Sequence, residues 1–282
     1  LVRTAWVTDS TAYLDEELKN HPDLYIVPLT ILLDDEEFSD GIDLTAEQLF
    51  LRLKQLKTPP KTSQPSMGAF HSLYEQLSKD YDQIAAVLLS GKLSGTVSSS
   101  EQAAKLVSIP VKTFDSNILT YPMTALLKTG MKWMQDGISL DQVIDRLETI
   151  RATNETYVLV GSLEQLHRSG RMSGIQFFLG SMLNIKPIIT FDDGALKVKD
   201  KTRSEKKAKE KIVEYLRLSY ETHRFKEVYI MYGLHEVQAF HWRDELKEQF
   251  PQLEFICCPL GAVIGVHAGE NTLGISWFTG IQ

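Results

Sequence analysis

Ile84-Ala85-Ala86-Val87-Leu88-Leu89 runs directly into Ser90-Gly91-Lys92-Leu93-Ser94-Gly95-Thr96. The apolar run reads as a strand, the segment Ser98–Val107 as a helix, and a short hydroxyl-bearing turn joins the two. The same unit recurs along the first half of the chain. Thr4–Thr8 precedes Asp9-Ser10-Thr11, and Val111–Phe114 precedes Asp115-Ser116. Strands at Thr4–Thr8, Leu24–Leu29, Ile84–Leu89 and Val111–Phe114 alternate with helices at Thr45–Leu56, Ser66–Lys79, Ser98–Val107, Pro122–Asp136 and Ser139–Asn154. That alternation predicts an α/β fold with a mainly parallel, doubly wound sheet. Thr45 with Gln48, and Ser139 with Gln142, have capping-box spacing. Ile31–Phe38 breaks the pattern as a β-hairpin with an acidic turn, expected to pair outside the main sheet.

From about Tyr157 the character changes. A strand at Tyr157–Val160 leads to a short helix at Ser162–His167, the basic loop Arg168-Ser169-Gly170-Arg171, and a nearly all-apolar helix at Ile175–Leu183. A hairpin follows, turning at Asp192-Asp193-Gly194, and then a long charged helix at Ser204–Tyr220. Val228–Tyr232, a helix over 236–249, Leu253–Cys258 and Leu273–Phe278 complete a second α/β unit. The expected organisation is an N-terminal α/β domain at 1–157 and a C-terminal domain at 158–282 with a mixed sheet and helices, a ligand lying at their interface.

Composition narrows the function. With 43% hydrophobic and 24% charged residues among 282, the chain has enough apolar material for a sizeable core. Its net charge is −7, which disfavours nucleic acid as a partner. No apolar run reaches the roughly 18–20 residues of a membrane span, and the opening residues show no charged-then-apolar leader pattern. The adjacent Cys257 and Cys258 read as two small residues of a buried strand, and two cysteines do not make a structural zinc site. These points lead to the expectation of a cytoplasmic protein with no metal.

The chemistry-bearing residues are hydroxyls. Thr62-Ser63-Gln64-Pro65-Ser66 follows a proline-kinked linker and precedes a helix. With Leu93-Ser94-Gly95-Thr96, Asp9-Ser10-Thr11 and Asp115-Ser116 it makes four hydroxyl stations at segment junctions, which suggests one polar site at the C-terminal edge of a sheet. Helix starts there favour an anion, and helix capping is the alternative role for Thr62 and Ser94. Gly261–Gly269 brings three glycines and His267, expected on a strand or turn. No P-loop, dinucleotide fingerprint, nucleophile elbow or zinc-protease pair is present.

Taken in order, Val7-Thr8-Asp9-Ser10-Thr11, Thr62–Ser66, Leu93–Thr96, Asp115-Ser116, Arg168–Arg171, Leu183-Asn184-Ile185-Lys186-Pro187 and Gly265-Val266-His267 resemble the DegV family, the fatty-acid-binding subunits of bacterial fatty acid kinase. The resemblance implies that Thr62, Ser94 and His267 hold a fatty acid carboxylate. It also implies that Arg171 and Arg203 lie near the mouth or face the kinase. The chain would carry a long-chain fatty acid, with no other cofactor and no catalysis of its own. It would present the acid for phosphorylation to acyl-phosphate in phospholipid metabolism, which leaves a transient contact with a membrane surface open. Two departures stand out: Glu270-Asn271 replaces the family's Pro-Gly after the histidine segment, and Ser169 replaces a loop glycine.

Residue chemistry fits such a ligand. Roughly fifteen methylenes at about 0.8 kcal/mol each need a deep apolar cavity, for which Ile175, Phe178, Leu179, Ile264 and Val266 are candidate walls. They serve equally well as ordinary core. The head group needs donors, available from Thr62, Ser94, His267 and backbone N–H groups beside Gly95. Two other readings remain open: a hydrolase using Ser94, His267 and Asp9 or Asp115, and a binder of another small carboxylate or phosphorylated metabolite.

Overall fold

In the computed structural model the described residues are 2–171 and 185–281. The first sheet is parallel and contains β1 (Thr4–Asp9), β2 (Leu24–Val27), β6 (Gln83–Leu88) and β7 (Val111–Asp115) in the order β2-β1-β6-β7. Its central strands are buried along nearly their whole length, with apolar runs at Ala5–Val7 and Ile84–Leu88, because helices cover both faces. Ala5, Val7, Ile84, Ala86 and Leu88 pack with Phe70 and Tyr74 of α3 (Met67–Leu77). Trp6, Ala85 and Val87 face the other way, into a core with Leu126 and Leu127 of α5 (Thr120–Gln135) and Val143 and Leu147 of α6 (Leu140–Arg151). Helix α4 (Thr96–Ala104) follows β6. Both expected capping boxes form, Thr45–Gln48 on α2 (Ala46–Leu53) and Ser139–Gln142 on α6.

The second sheet contains β8 (Asn154–Leu159), β9 (Lys186–Asp192), β10 (Ala195–Thr202), β11 (Glu227–Tyr232), β12 (Glu254–Pro259) and β13 (Leu273–Phe278). Its order is β10-β9-β8-β13-β11-β12, antiparallel except for the parallel pair β11–β12. On one face Tyr157, Ile230, Ile275 and Trp277 pack with Ile212 and Leu216 of α8 (Glu205–His223) and Trp242 and Leu246 of α9 (Glu236–Gln249). The other face turns toward the first sheet. The change of sheet falls between β7 and β8, and residue 157 lies inside β8.

Contacts at two places help join the sheets. The ring of Tyr121 on α5 lies 4.7 Å from that of Tyr229 on β11. The β9–β10 turn, with Asp193 at φ 46° and Gly194 at φ 77°, has the all-positive geometry of a type I′ hairpin. Its tip is tied to the first sheet, since Ser90 Oγ donates to the Gly194 carbonyl at 2.7 Å and Asn117 Nδ2 to Asp193 Oδ1 at 3.2 Å.

A small antiparallel sheet, β4-β3-β5, stands apart from both. The acidic hairpin β3 (Thr30–Leu33) and β4 (Glu36–Ser39) pairs outside the main sheet as its sequence suggests. Its third strand, β5 (Lys61–Ser63), does not follow from the sequence, which placed Thr62 in a pre-helical turn. A second correction concerns Gly261–Gly269. Instead of a strand or turn, Ala262–Ala268 forms a short helix, α10, flanked by Gly261 at φ 83° and Gly269 at φ 85°. Its back rests on α2 so closely that a Cβ on Gly265 would sit 2.8 Å from Phe50 Cζ. The expected helix Ile175–Leu183, with Ile175, Phe178 and Leu179, lies outside the described residues. No helix among the described residues is long and apolar enough to cross a membrane.

Candidate ligand-binding site

A cavity opens between the two large sheets, lined mainly by apolar side chains with a few polar groups, the usual make-up of a small-molecule site. The six-stranded sheet supplies Val158, Ile189, Gly274 and Met231, and loops after the strands of the parallel sheet supply Leu89, Leu93 and Ile118. The third wall comes from α10 and the residue pair before it. Leu260, Val263, Ile264, His267 and Ala268 all line the cavity, a spacing of i, i+3, i+4, i+7 and i+8 that is one face of a helix. Ile264 therefore faces this cavity. Val266 does not: it is buried in the core on the other side, because α10 turns by helical rather than strand periodicity.

One end of this apolar chamber is polar. Thr62 on β5, Ser94 after β6, Arg171 after α7 (Leu163–Arg168) and His267 on α10 come together there with Gln64. Thr62 and His267 are 205 positions apart in the chain, yet Thr62 Oγ1 lies 2.8 Å from His267 Nε2. Ser94 Oγ lies 2.9 Å from Thr96 Oγ1. Arg171 reaches over this end, its Nε donating to the Leu93 carbonyl at 3.4 Å and Nη1 to the Ser169 carbonyl at 2.5 Å. Neither Thr62 nor Ser94 caps a helix: the cap of α3 is Ser66, whose Oγ accepts from Ala69 N at 3.0 Å, and α4 starts at Gly95 with no side-chain cap. Their hydroxyls remain available to the cavity.

The electrostatics of the polar end are one-sided. Burial first, and then the charge of Arg171, push the pKa of His267 down to about 3, so the ring is neutral at physiological pH. Its Nδ1 is buried and has no hydrogen-bond partner among the described residues. In the tautomer where Nε2–H donates to Thr62, the threonine keeps its own hydroxyl hydrogen for a ligand. Arg171 is half-buried, and burial alone lowers its pKa. Among the described residues its hydrogen bonds go only to carbonyl oxygens, and no carboxylate pairs with it. A half-buried guanidinium beside a neutral imidazole and two hydroxyls is a ready partner for an anion.

The remaining hydroxyl stations have other work. Fully buried Asp9 accepts from Thr11 N, Thr11 Oγ1 and Leu89 N at 2.6–2.9 Å, and burial raises its pKa. Ser10 accepts from Leu29 N at 3.0 Å. Asp115 accepts from Gly91 N and Asn117 N, and Ser116 Oγ donates to the Ile118 carbonyl. These residues fasten loops and leave Thr11, Leu89 and Ile118 on the cavity wall. Of the four stations, two contribute Thr62 and Ser94 to the polar end, while Thr11 lines the cavity with its hydroxyl donating to Asp9.

Gly95 sits behind the site. A Cβ there would lie 3.0 Å from Gln64 Nε2, so its bare backbone lets the Ser94 loop close on the Thr62 segment. Arg203 is exposed in the link between β10 and α8 and is not among the lining residues. The hydrolase arrangement is absent among the described residues: Asp9 and Asp115 bond backbone and neighbouring side chains, and no acid orients His267 Nδ1. One contributor went unnoticed in the sequence. Buried Asp40 accepts from Val263 N at 3.3 Å, at the start of α10, and burial raises its pKa to about 6 despite a bond from Ser10. Nothing in the local sequence of Asp40 points to a helix 223 positions away.

A family model described as an uncharacterised protein of the DegV family matches residues 3–280. The chain belongs to the DegV family. Protein DegV of Bacillus subtilis is 34% identical over 275 residues, covering 97% of this chain and 98% of that one. The crystal structure of DegV from that organism, a fatty acid binding protein, superposes with a TM-score of 0.91 at 33% identity and covers 99% of both chains. A DegV family protein from Thermus thermophilus, described for its fatty acid binding, gives a TM-score of 0.91 at 32% identity over 98% of this chain and 99% of that one. The fold alone is shared with the Streptococcus pneumoniae fatty acid kinase B3 protein loaded with linoleic acid, at a TM-score of 0.84 and 19% identity, over 99% of this chain and 100% of that one.

Proposed function

We propose that this DegV family chain is a carrier that encloses one long-chain fatty acid and presents its carboxylate to a partner fatty acid kinase. The observation that carries the reading is Arg171, a half-buried cation with no carboxylate partner among the described residues, at the polar end of an apolar cavity. A carboxylate placed among Arg171, Thr62, Ser94 and His267 would gain charge-assisted hydrogen bonds. The hydrocarbon would be removed from water against Val158, Ile189, Ile264 and Met231 at about 0.8 kcal/mol per methylene. Relatives described as fatty-acid-binding support the ligand class.

The kinase step would form a bond between a carboxylate oxygen and the γ-phosphorus of ATP, releasing ADP and leaving an acyl-phosphate in the carrier. The chain would contribute substrate binding and orientation, and the kinase the nucleotide site. Under this reading Arg203, exposed beyond the cavity, serves the partner surface rather than the ligand. Organic extraction of the purified protein followed by mass spectrometry tests the carrier role, with one fatty acid per chain expected. Loss of that acid in a Thr62→Val, Ser94→Ala double variant that melts like the wild type supports the head-group assignment. Covalent labelling of Ser94 by a fluorophosphonate would instead establish a hydrolase.

A further inference from the structure

The floor of the cavity contains a glycine that backbone conformation does not require. Gly274 lies in the middle of β13, hydrogen-bonded between β8 and β11, with no positive φ. Glycine in a buried strand interior is unfavourable, and it often marks a place where something approaches the backbone closely. The pairing places it in one cross-sheet row, Ile189–Val158–Gly274–Met231. All four residues line the cavity, and Gly274 is the member of the row without a side chain. A Cβ built there would lie 3.3 Å from Met231 Cε and 3.5 Å from Val158 Cγ2. The flexible methionine tip can yield to one methyl group, whereas a branched side chain would stand up into the cavity.

The rows on either side give the floor a direction. Thr272, two residues before Gly274, donates from Oγ1 to the carbonyls of Ala268 and Gly269, next to His267, so it marks the polar end. Ser276, two residues beyond, is paired with Thr156. Thr156 Oγ1 donates to Asn154 Oδ1, Ser276 donates to Thr156, and Asn154 Nδ2 donates to Ser276 Oγ and the Trp277 carbonyl. Every donor in this distal group is used, so it makes no demand on an apolar chain end. At about 3.4 Å per residue, Gly274 lies about 7 Å and Ser276 about 14 Å past Thr272 along the strand.

We infer that Gly274 sets the length of acyl chain the protein accepts, by leaving open the place where the chain crosses β13 on its way to the Thr156–Ser276 row. This rests on the fatty acid reading. A chain too short to reach Gly274 is indifferent to the residue there, and a long one is not.

The test compares wild type, Gly274→Ala and Gly274→Val, each delipidated, in competition against a fluorescent fatty acid with butanoic acid, whose chain ends short of Gly274, and octadecanoic acid. For Gly274→Val the affinity for octadecanoic acid falls on the order of fiftyfold, equivalent to expelling about three methylenes, while butanoic acid changes by less than about twofold. Gly274→Ala, the milder change, lowers the long acid by about threefold and spares the short one, which keeps the test decisive if the valine variant fails to fold. Equal losses for both acids, or an unchanged profile in both variants, overturns the inference and leaves the carrier reading standing. A wild-type protein that binds neither acid removes both.

Discussion

Replacing Arg171 by methionine separates the two things this residue does. The guanidinium is half-buried, its hydrogen-bond partners among the described residues are carbonyls, and its positive charge helps depress His267. In the delipidated protein it is therefore an uncompensated charge, and Arg171→Met raises the melting temperature. With a carboxylate bound, the same change removes a charge-assisted hydrogen bond of about 1.5–3 kcal/mol, a loss of affinity of roughly 10- to 150-fold. Methionine keeps the length of the side chain and most of its apolar surface, so the tail contacts stay. Competition binding at pH 7.5 with a fatty acid and its methyl ester reads the head-group contribution directly. The expected result is a large loss for the acid, little change for the ester, and a stability shift of opposite sign without ligand. Equal losses for acid and ester, or destabilisation of the empty protein, would refute the assignment of Arg171 as the carboxylate's cation.

Three further predictions concern α10. Asp40 is raised to about 6 by burial, so the folded state holds its proton more tightly than the unfolded chain does. That contribution is fully present below the unfolded value near 4 and is lost as pH rises through about 6. Asp40→Asn, which keeps an acceptor for Val263 N, should stabilise the delipidated protein at pH 7.5 by up to about 2–3 kcal/mol and change little at pH 4, measured by urea unfolding. His267 has the opposite sense: its depressed value of about 3 costs stability as pH falls from about 6.5, so His267→Asn should flatten the acid limb of the same profile. Gly265→Ala places a methyl 2.8 Å from Phe50 Cζ and 3.5 Å from Leu49 Cδ2. It should destabilise the fold by roughly 1–3 kcal/mol and weaken ligand retention in parallel by displacing α10, as seen in thermal melts and extraction assays.

Much of the architecture was legible because it is encoded locally. Parallel strands covered on both faces show as unbroken apolar runs such as Ile84–Leu89, capping boxes declare themselves at Thr45–Gln48 and Ser139–Gln142, and Asp193-Gly194 specifies its own turn. The segment at Gly261–Gly269 was misread for an equally local reason. Its residues are apolar on nearly every side, since one face lines the cavity and the other packs on α2, so neither periodicity stands out. Likewise, β5 is three residues long and exists only because β3 offers an edge to pair with.

By itself, the sequence determined the α/β class, the two kinds of sheet, the family, and the residue types available to hold an acid. Only the tertiary structure decided which of those residues meet. Thr62 joins His267 across 205 positions, Arg171 reaches the loop of Ser94, and Asp9, Ser10, Asp115 and Ser116 turn away to fasten loops. Hydrogen-bonded turns and strand patterns depend on neighbours a few residues apart. The polar end of the cavity depends on how three sheets and one short helix pack, which fixes distances that no local pattern contains.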